Sequence, residues 1–125
     1  MEKNTIIYFC GLHSVLFAVF HACFWKLFNW SSELKKIERN NRAIMQILNL
    51  RLIYLFLFSA FLCFFFTRDL YTTSLGKAFL VGMSIFWLGR TIEQFIFLPL
   101  NHWRVHVLTI LFISGTIIFL VPVFY

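Results

Sequence analysis

The chain has 125 residues, of which 61% are hydrophobic, 21% are aromatic and only 13% are charged, and its formal net charge at pH 7 is +6. This balance excludes disordered, collagen-like, coiled-coil and disulfide-rich secreted proteins, because none of these classes combines so many large apolar residues with so little charge. The balance is typical of a protein that folds inside a lipid bilayer.

Four apolar segments follow one another along the chain, each close to the roughly 20 residues that cross a hydrocarbon core. They cover residues 5–28, 43–66, 75–97 and 103–124. Inside a bilayer the backbone polar groups of a segment must be hydrogen-bonded within it, so each segment is predicted to be an α-helix. The predicted fold is an all-α integral membrane protein, an antiparallel bundle of four transmembrane helices that forms a single domain.

The first connection, residues 29–42, is basic and amphipathic. From Glu33 to Leu48 apolar residues recur at helical spacing among basic ones, which predicts an interfacial helix or a cytoplasmic extension of the second transmembrane helix. Basic side chains at this surface are predicted to contact anionic lipid headgroups. These membrane-surface residues are Lys35, Lys36, Arg39, Arg42 and Arg51. Nucleic acid is not a predicted partner, because the charge lies next to the bilayer and no recognition fold accompanies it.

The distribution of lysine and arginine predicts the orientation in the membrane. Eight of the 11 lie at the end that holds the first and third connections: Lys26, Lys35, Lys36, Arg39, Arg42, Arg51, Arg90 and Arg104. Only Lys3, Arg68 and Lys77 lie at the other end. Cytoplasmic loops are enriched in these residues, so both termini are predicted to lie on the non-cytoplasmic side. The predicted location is a bacterial cytoplasmic membrane.

Polar side chains inside the predicted helices are the candidates for function, because they are costly in hydrocarbon and usually face the bundle interior. Most of them lie in the half nearer the first and third connections. The predicted ligand-binding residues are Trp25, Gln46, Asn49, Arg90, Glu93 and Gln94. Helical periodicity places Glu93 on one face with Gly82 and Gly89, so Glu93 is predicted to point at a neighbouring helix.

Histidine and glutamate in the same half predict a candidate metal site. His102 and His106 have a spacing that puts both rings on one interior face of the fourth helix, and Glu93 and His21 would complete a shell for zinc, iron or copper. The competing interpretation is structural. In that interpretation Glu93 pairs with Arg90, and the histidines hydrogen-bond between helices.

Other ligands and activities depend on the same polar groups. Haem would use His13 or His21 as an axial ligand, although about 12 Å of helix rise separates the two rings. A quinone or a transported ion is a further alternative, but the chain resembles the small four-helix drug exporters only in length and helix number, and it has no acidic residue inside the first helix. The P-loop, Rossmann, serine-nucleophile and CxxC signatures are missing, so an enzyme is not favoured.

The predicted function is binding of a small ligand, a lipid headgroup or a metal ion in a polar pocket of the cytoplasmic leaflet. The first alternative is an accessory subunit of a larger membrane complex, or a homo-oligomer, in which the polar side chains only fix the helix packing. The second alternative is a redox protein that binds haem or a quinone.

Overall fold

A computed structural model describes residues 2–125, which form helices and no strands. Seven α-helices follow in order: α1 (Lys3–Ala22), α2 (Phe24–Leu27), α3 (Trp30–Glu33), α4 (Arg39–Phe65), α5 (Thr67–Thr72), α6 (Ser74–Phe97) and α7 (Trp103–Phe124). A 3-10 turn, Leu34–Lys36, lies between α3 and α4. The prediction of an all-helical chain is confirmed.

Helices α1, α4, α6 and α7 are long and apolar enough, by length and composition, to cross a membrane. Large apolar side chains on their surfaces are exposed, among them Phe65, Ile85 and Ile110. A soluble monomer rarely exposes so many large apolar side chains, whereas lipid-facing helices need them. The prediction of four apolar helices of membrane-spanning length is confirmed.

The first connection contains more interruptions of helical backbone than predicted. Helix α1 ends at Ala22, and Asn29 takes a left-handed conformation with φ 51°, which asparagine tolerates better than most residues. Ile37 is extended, with ψ 163°, so α4 begins only at Arg39. The predicted continuous helix from Glu33 to Leu48 is therefore wrong in its first part. A β-branched residue such as Ile37 is more readily extended than helical at the end of a 3-10 turn.

The described chain divides into two compact units. The central unit is Gly11–Phe61, and the terminal unit contains the residues up to Cys10 together with Leu62–Tyr125. In the central unit α1 and α4 run in opposite directions, since Phe17 lies beside Phe56 with ring centroids 6.0 Å apart and later residues of α1 meet earlier residues of α4. The single four-helix domain stays a prediction.

In the terminal unit α6 and α7 form an antiparallel hairpin. The hydroxyl of Ser84 donates a hydrogen bond to the carbonyl oxygen of Thr116 at 2.6 Å, and Trp87 stacks on Phe112 with ring centroids 5.7 Å apart. The first turn of α6 lies directly against α5, where a Cβ on Gly76 would overlap the backbone of α5. Glycine is therefore required at this close approach.

The faces that pack differ from the predicted ones. On α6 Gly82 and Glu93 are exposed, and the buried side chains include Trp87. On α7 Phe112 is buried, whereas His106 is exposed. The predicted interior faces of the third and fourth helices are wrong, because stacked aromatic rings bury more area and make more contacts than glycine or histidine would at the same interface.

Candidate functional site

The predicted polar residues of the central unit hydrogen-bond to one another. The Nδ1 of His21 lies 2.8 Å from the Oδ1 of Asn49, and the Nδ2 of Asn49 donates to the backbone carbonyl oxygen of His21, also at 2.8 Å. Because Oδ1 only accepts, Nδ1 carries the proton of this ring. Asn49 is 3% exposed, and its two bonds join α1 to α4.

One turn closer to the connection, a second pair joins α2 to α4 in the central unit. The indole Nε1 of Trp25 donates to the Oε1 of Gln46 at 3.1 Å, and the Nε2 of Gln46 donates to the backbone carbonyl oxygen of Arg42 at 3.3 Å. Trp25 also packs edge-on against Trp30, with ring centroids 5.2 Å apart. Trp25, Gln46 and Asn49 therefore have hydrogen-bond partners within the unit, as packing residues do.

The basic residues predicted to lie at the membrane surface are mostly exposed. Lys35, Lys36, Arg39 and Arg51 are exposed, and Arg42 is half-buried. Lys36 pairs with Glu33 at 3.2 Å, and the Arg51 guanidinium lies 5.9 Å from the centre of the Tyr54 ring. Exposure leaves these cations accessible to headgroups, and contact with anionic lipid stays a prediction.

Arg90 and Glu93 do not form a close ion pair in the terminal unit. The Arg90 guanidinium lies over the Phe112 ring, 4.5 Å from its centre, whereas Glu93 is exposed on α6. Within residues 2–125 the two side chains form no ion pair, so the predicted pairing of Glu93 with Arg90 is wrong. The guanidinium instead gains from the face of an aromatic ring, where cations are attracted by the ring quadrupole.

The predicted metal ligands have other roles. His102 is the N-cap of α7, where its Nδ1 accepts a hydrogen bond from the backbone N–H of Arg104 at 3.2 Å. His102 therefore lies outside the helix and does not share a helical face with His106. The set His21, Glu93, His102 and His106 gains no support, since the described chain holds no group of three or more His, Cys, Asp or Glu side chains that could bind a metal ion.

A cavity of about 270 Å³ lies in the terminal unit where α6 connects to α7. Four polar side chains line it: Gln94, Asn101, His106 and Thr109. Apolar side chains, including Phe95, Leu98 and Leu100, form the rest of its lining. An apolar wall with a few convergent polar groups is the usual composition of a small-ligand site.

The short connection shapes this cavity. Leu98 leaves the helical conformation before Pro99, because a residue that precedes proline is sterically disfavoured in the α region. The chain then continues to His102, which starts α7 with extended backbone and its side-chain cap. Asn101 and His106 thereby come within 2.8 Å of each other, measured from Oδ1 to Nε2.

Gln94 is the buried polar group of the cavity. The residue is 2% exposed, and its Nε2 donates to the backbone carbonyl oxygen of Val105 at 3.4 Å. Its Oε1 has no hydrogen-bond partner among residues 2–125. A buried acceptor without a donor costs free energy, so a donor that reached this oxygen from the cavity would be stabilised.

The chain matches no protein-family model, no curated protein and no solved structure.

The structure brings two residues of the predicted site, Gln94 and His106, to one cavity. It adds Asn101 and Thr109, which the predicted site leaves out. Thr109 follows His106 at helical spacing, so periodicity does place the two side chains on one face of the fourth helix. Asn101 lies outside the helix, and only the path of the connection places it there.

Proposed function

We propose that this chain is an integral membrane protein, an antiparallel bundle of four membrane-spanning helices whose first and third connections are cytoplasmic. The four apolar helices and their exposed apolar side chains support insertion. The excess of lysine and arginine near the first and third connections supports the orientation.

The function of the protein in this proposal is to bind a lipid headgroup, or a comparably small polar group, in the cavity at the α6–α7 connection. The observation that carries the proposal is the buried Oε1 of Gln94, which lacks a donor in the described structure. The cavity of about 270 Å³ lies just below the range of roughly 300–1,000 Å³ that is usual for drug-sized ligands, which favours a headgroup over a larger molecule.

The test is the lipid that remains bound after purification in mild detergent, measured by native mass spectrometry. Gln94→Leu removes the buried acceptor, and Gln46→Leu is the matched control because it makes the same substitution at a residue that does not line this cavity. We expect wild type and Gln46→Leu to retain a stoichiometric lipid and Gln94→Leu to lose it. Equal retention by all three proteins would contradict the proposal.

A second candidate function is that of an accessory subunit, and the hydrogen bonds of the central unit favour it. Trp25, Gln46 and Asn49 have partners inside that unit, as expected of side chains that fix helix packing. Absence of any retained lipid from the wild type, together with a stable stoichiometric complex with another membrane protein in native membranes, would favour this function over headgroup binding.

A further inference from the structure

We infer that the group held in the cavity at the α6–α7 connection is a hydrogen-bond donor, a hydroxyl or a primary ammonium at the end of a lipid headgroup; this inference rests on the proposed function. It follows from which atoms of the four polar side chains that line the cavity donate hydrogen bonds and which accept them.

The amide of Gln94 can point in only one direction. Its Nε2 donates to the carbonyl oxygen of Val105 at 3.4 Å, and turning the amide over would place Oε1 against that carbonyl oxygen instead. Two acceptors facing each other would be unfavourable. Oε1 is therefore the buried, unpaired end of the amide, and only a donor can satisfy it.

His106 and Thr109 add two more acceptors, and the Nδ2 of Asn101 adds a donor. The Nε2 of His106 lies 2.8 Å from the Oδ1 of Asn101, which only accepts, so Nε2 donates this hydrogen bond and Nδ1 is the acceptor of a ring that carries one proton. The Thr109 hydroxyl donates its proton to the carbonyl oxygen of Val105 at 2.9 Å, which leaves its oxygen lone pairs as acceptors.

The lining also argues against an anionic group. No lysine, arginine, aspartate or glutamate is among the described residues that line the cavity. The nearby guanidinium of Arg90 is placed over Phe112. A phosphate or carboxylate inside would meet three acceptor atoms and, of side-chain donors, the amide of Asn101 alone, without a compensating cation, and such burial is costly. A hydroxyl or ammonium would meet acceptors that suit it.

The experiment is a methylation series that changes the number of donors while the phosphate and the acyl chains stay constant. The full-length protein is reconstituted in nanodiscs that contain equal amounts of phosphatidylcholine and one test lipid: phosphatidylethanolamine, its N,N-dimethyl derivative, or phosphatidylglycerol. Native mass spectrometry gives the enrichment of each test lipid on the protein. We expect phosphatidylethanolamine or phosphatidylglycerol to be enriched about tenfold over phosphatidylcholine, the factor of one charge-assisted or well-placed hydrogen bond.

The arms of the series separate the sources of the donor. Enrichment of the ethanolamine lipid, with a smaller value for its dimethyl derivative, identifies an ammonium. Enrichment of the glycerol lipid identifies a hydroxyl only where Gln94→Leu abolishes it, because the basic surface also attracts this anionic lipid. Free ethanolamine and free glycerol are added to the nanodiscs that contain the enriched test lipid, as the arm for a soluble ligand. Displacement of bound lipid by either would show that the headgroup alone is recognised.

Variants tie the preference to the cavity. Gln94→Leu removes the accepting oxygen and is expected to reduce the enrichment to about one. Gln46→Leu is again the matched control. If a lipid is lost on Gln94→Leu but phosphatidylcholine binds as well as the donor lipids, the inference fails and the proposed function stands. If Gln94→Leu changes neither retention nor preference, both fail.

Discussion

Asn49 is predicted to be the polar residue on which the stability of the central unit depends most. Its side chain makes two hydrogen bonds of 2.8 Å to His21, one to the ring and one to the backbone. Asn49→Leu keeps a similar volume and removes both bonds. The substitution also leaves the backbone carbonyl oxygen of His21 without this donor.

The expected magnitude follows from interhelical hydrogen bonds measured in membrane proteins. Such bonds contribute about 0.6 kcal/mol on average and about 1.7 kcal/mol at most, so two bonds correspond to a loss of about 1.2 kcal/mol and at most about 3.4 kcal/mol of unfolding free energy. The assay is an SDS titration of the protein from mild detergent, followed by circular dichroism. Asn41→Leu is the control, because Asn41 is exposed in the first turn of α4.

A double-mutant cycle isolates the ring contribution. His21→Leu removes the ring and leaves the backbone carbonyl oxygen in place, so the single and double variants with Asn49→Leu report the coupling between the two side chains. We expect a coupling of about 0.5 kcal/mol or more, as is usual for residues in direct contact. The reasoning would be refuted if Asn49→Leu and Asn41→Leu had the same unfolding free energy, or if the cycle showed no coupling.

Two further predictions concern α6 and the topology. Gly76→Ala is expected to lower the unfolding free energy by about 1–3 kcal/mol, because the new Cβ would overlap backbone atoms of α5. Gly82→Ala is the control, because nothing lies within 4 Å of its Cβ, and it should be neutral or stabilising by up to about 1 kcal/mol. Equal effects in the same SDS titration would contradict the close approach. In a variant without the exposed Cys23, a cysteine at Ser31 should react with a membrane-impermeant reagent only from the cytoplasmic side and one at Thr72 only from the other side. Reversed labelling would overturn the orientation.

The positions of the long helices could be predicted from sequence because length and hydropathy suffice to define them. The fourth predicted helix, residues 103–124, has the bounds of α7, Trp103–Phe124. Pro99 and the polar residues after it separate α7 clearly from α6. The first connection is less predictable, because a left-handed Asn29 and an extended Ile37 depend on local backbone geometry that hydrophobic periodicity does not describe.

The candidate site could be predicted only in part. Gln94 belongs to the predicted site and is buried at the cavity, but Glu93, its neighbour, is exposed. A rotation of 100° per residue separates adjacent side chains, so a small error in the packed face exchanges an interior residue for an exposed one. The spacing of His102 and His106 predicts that both lie on one helical face, but His102 is the N-cap of α7 and has extended backbone. Asn101 reaches the cavity through the connection, which has no periodicity to reveal it.

The most direct test of headgroup binding is to observe a lipid beside Gln94. Nuclear Overhauser effects between the side-chain amide protons of Gln94 and the headgroup protons of a lipid report that contact, measured by NMR in nanodiscs of phosphatidylethanolamine, phosphatidylglycerol and phosphatidylcholine. The proposal predicts cross-peaks from the Gln94 amide to the ethanolamine methylene protons or the terminal glycerol protons, and none to the choline methyl protons. Cross-peaks from this amide to water alone would contradict it.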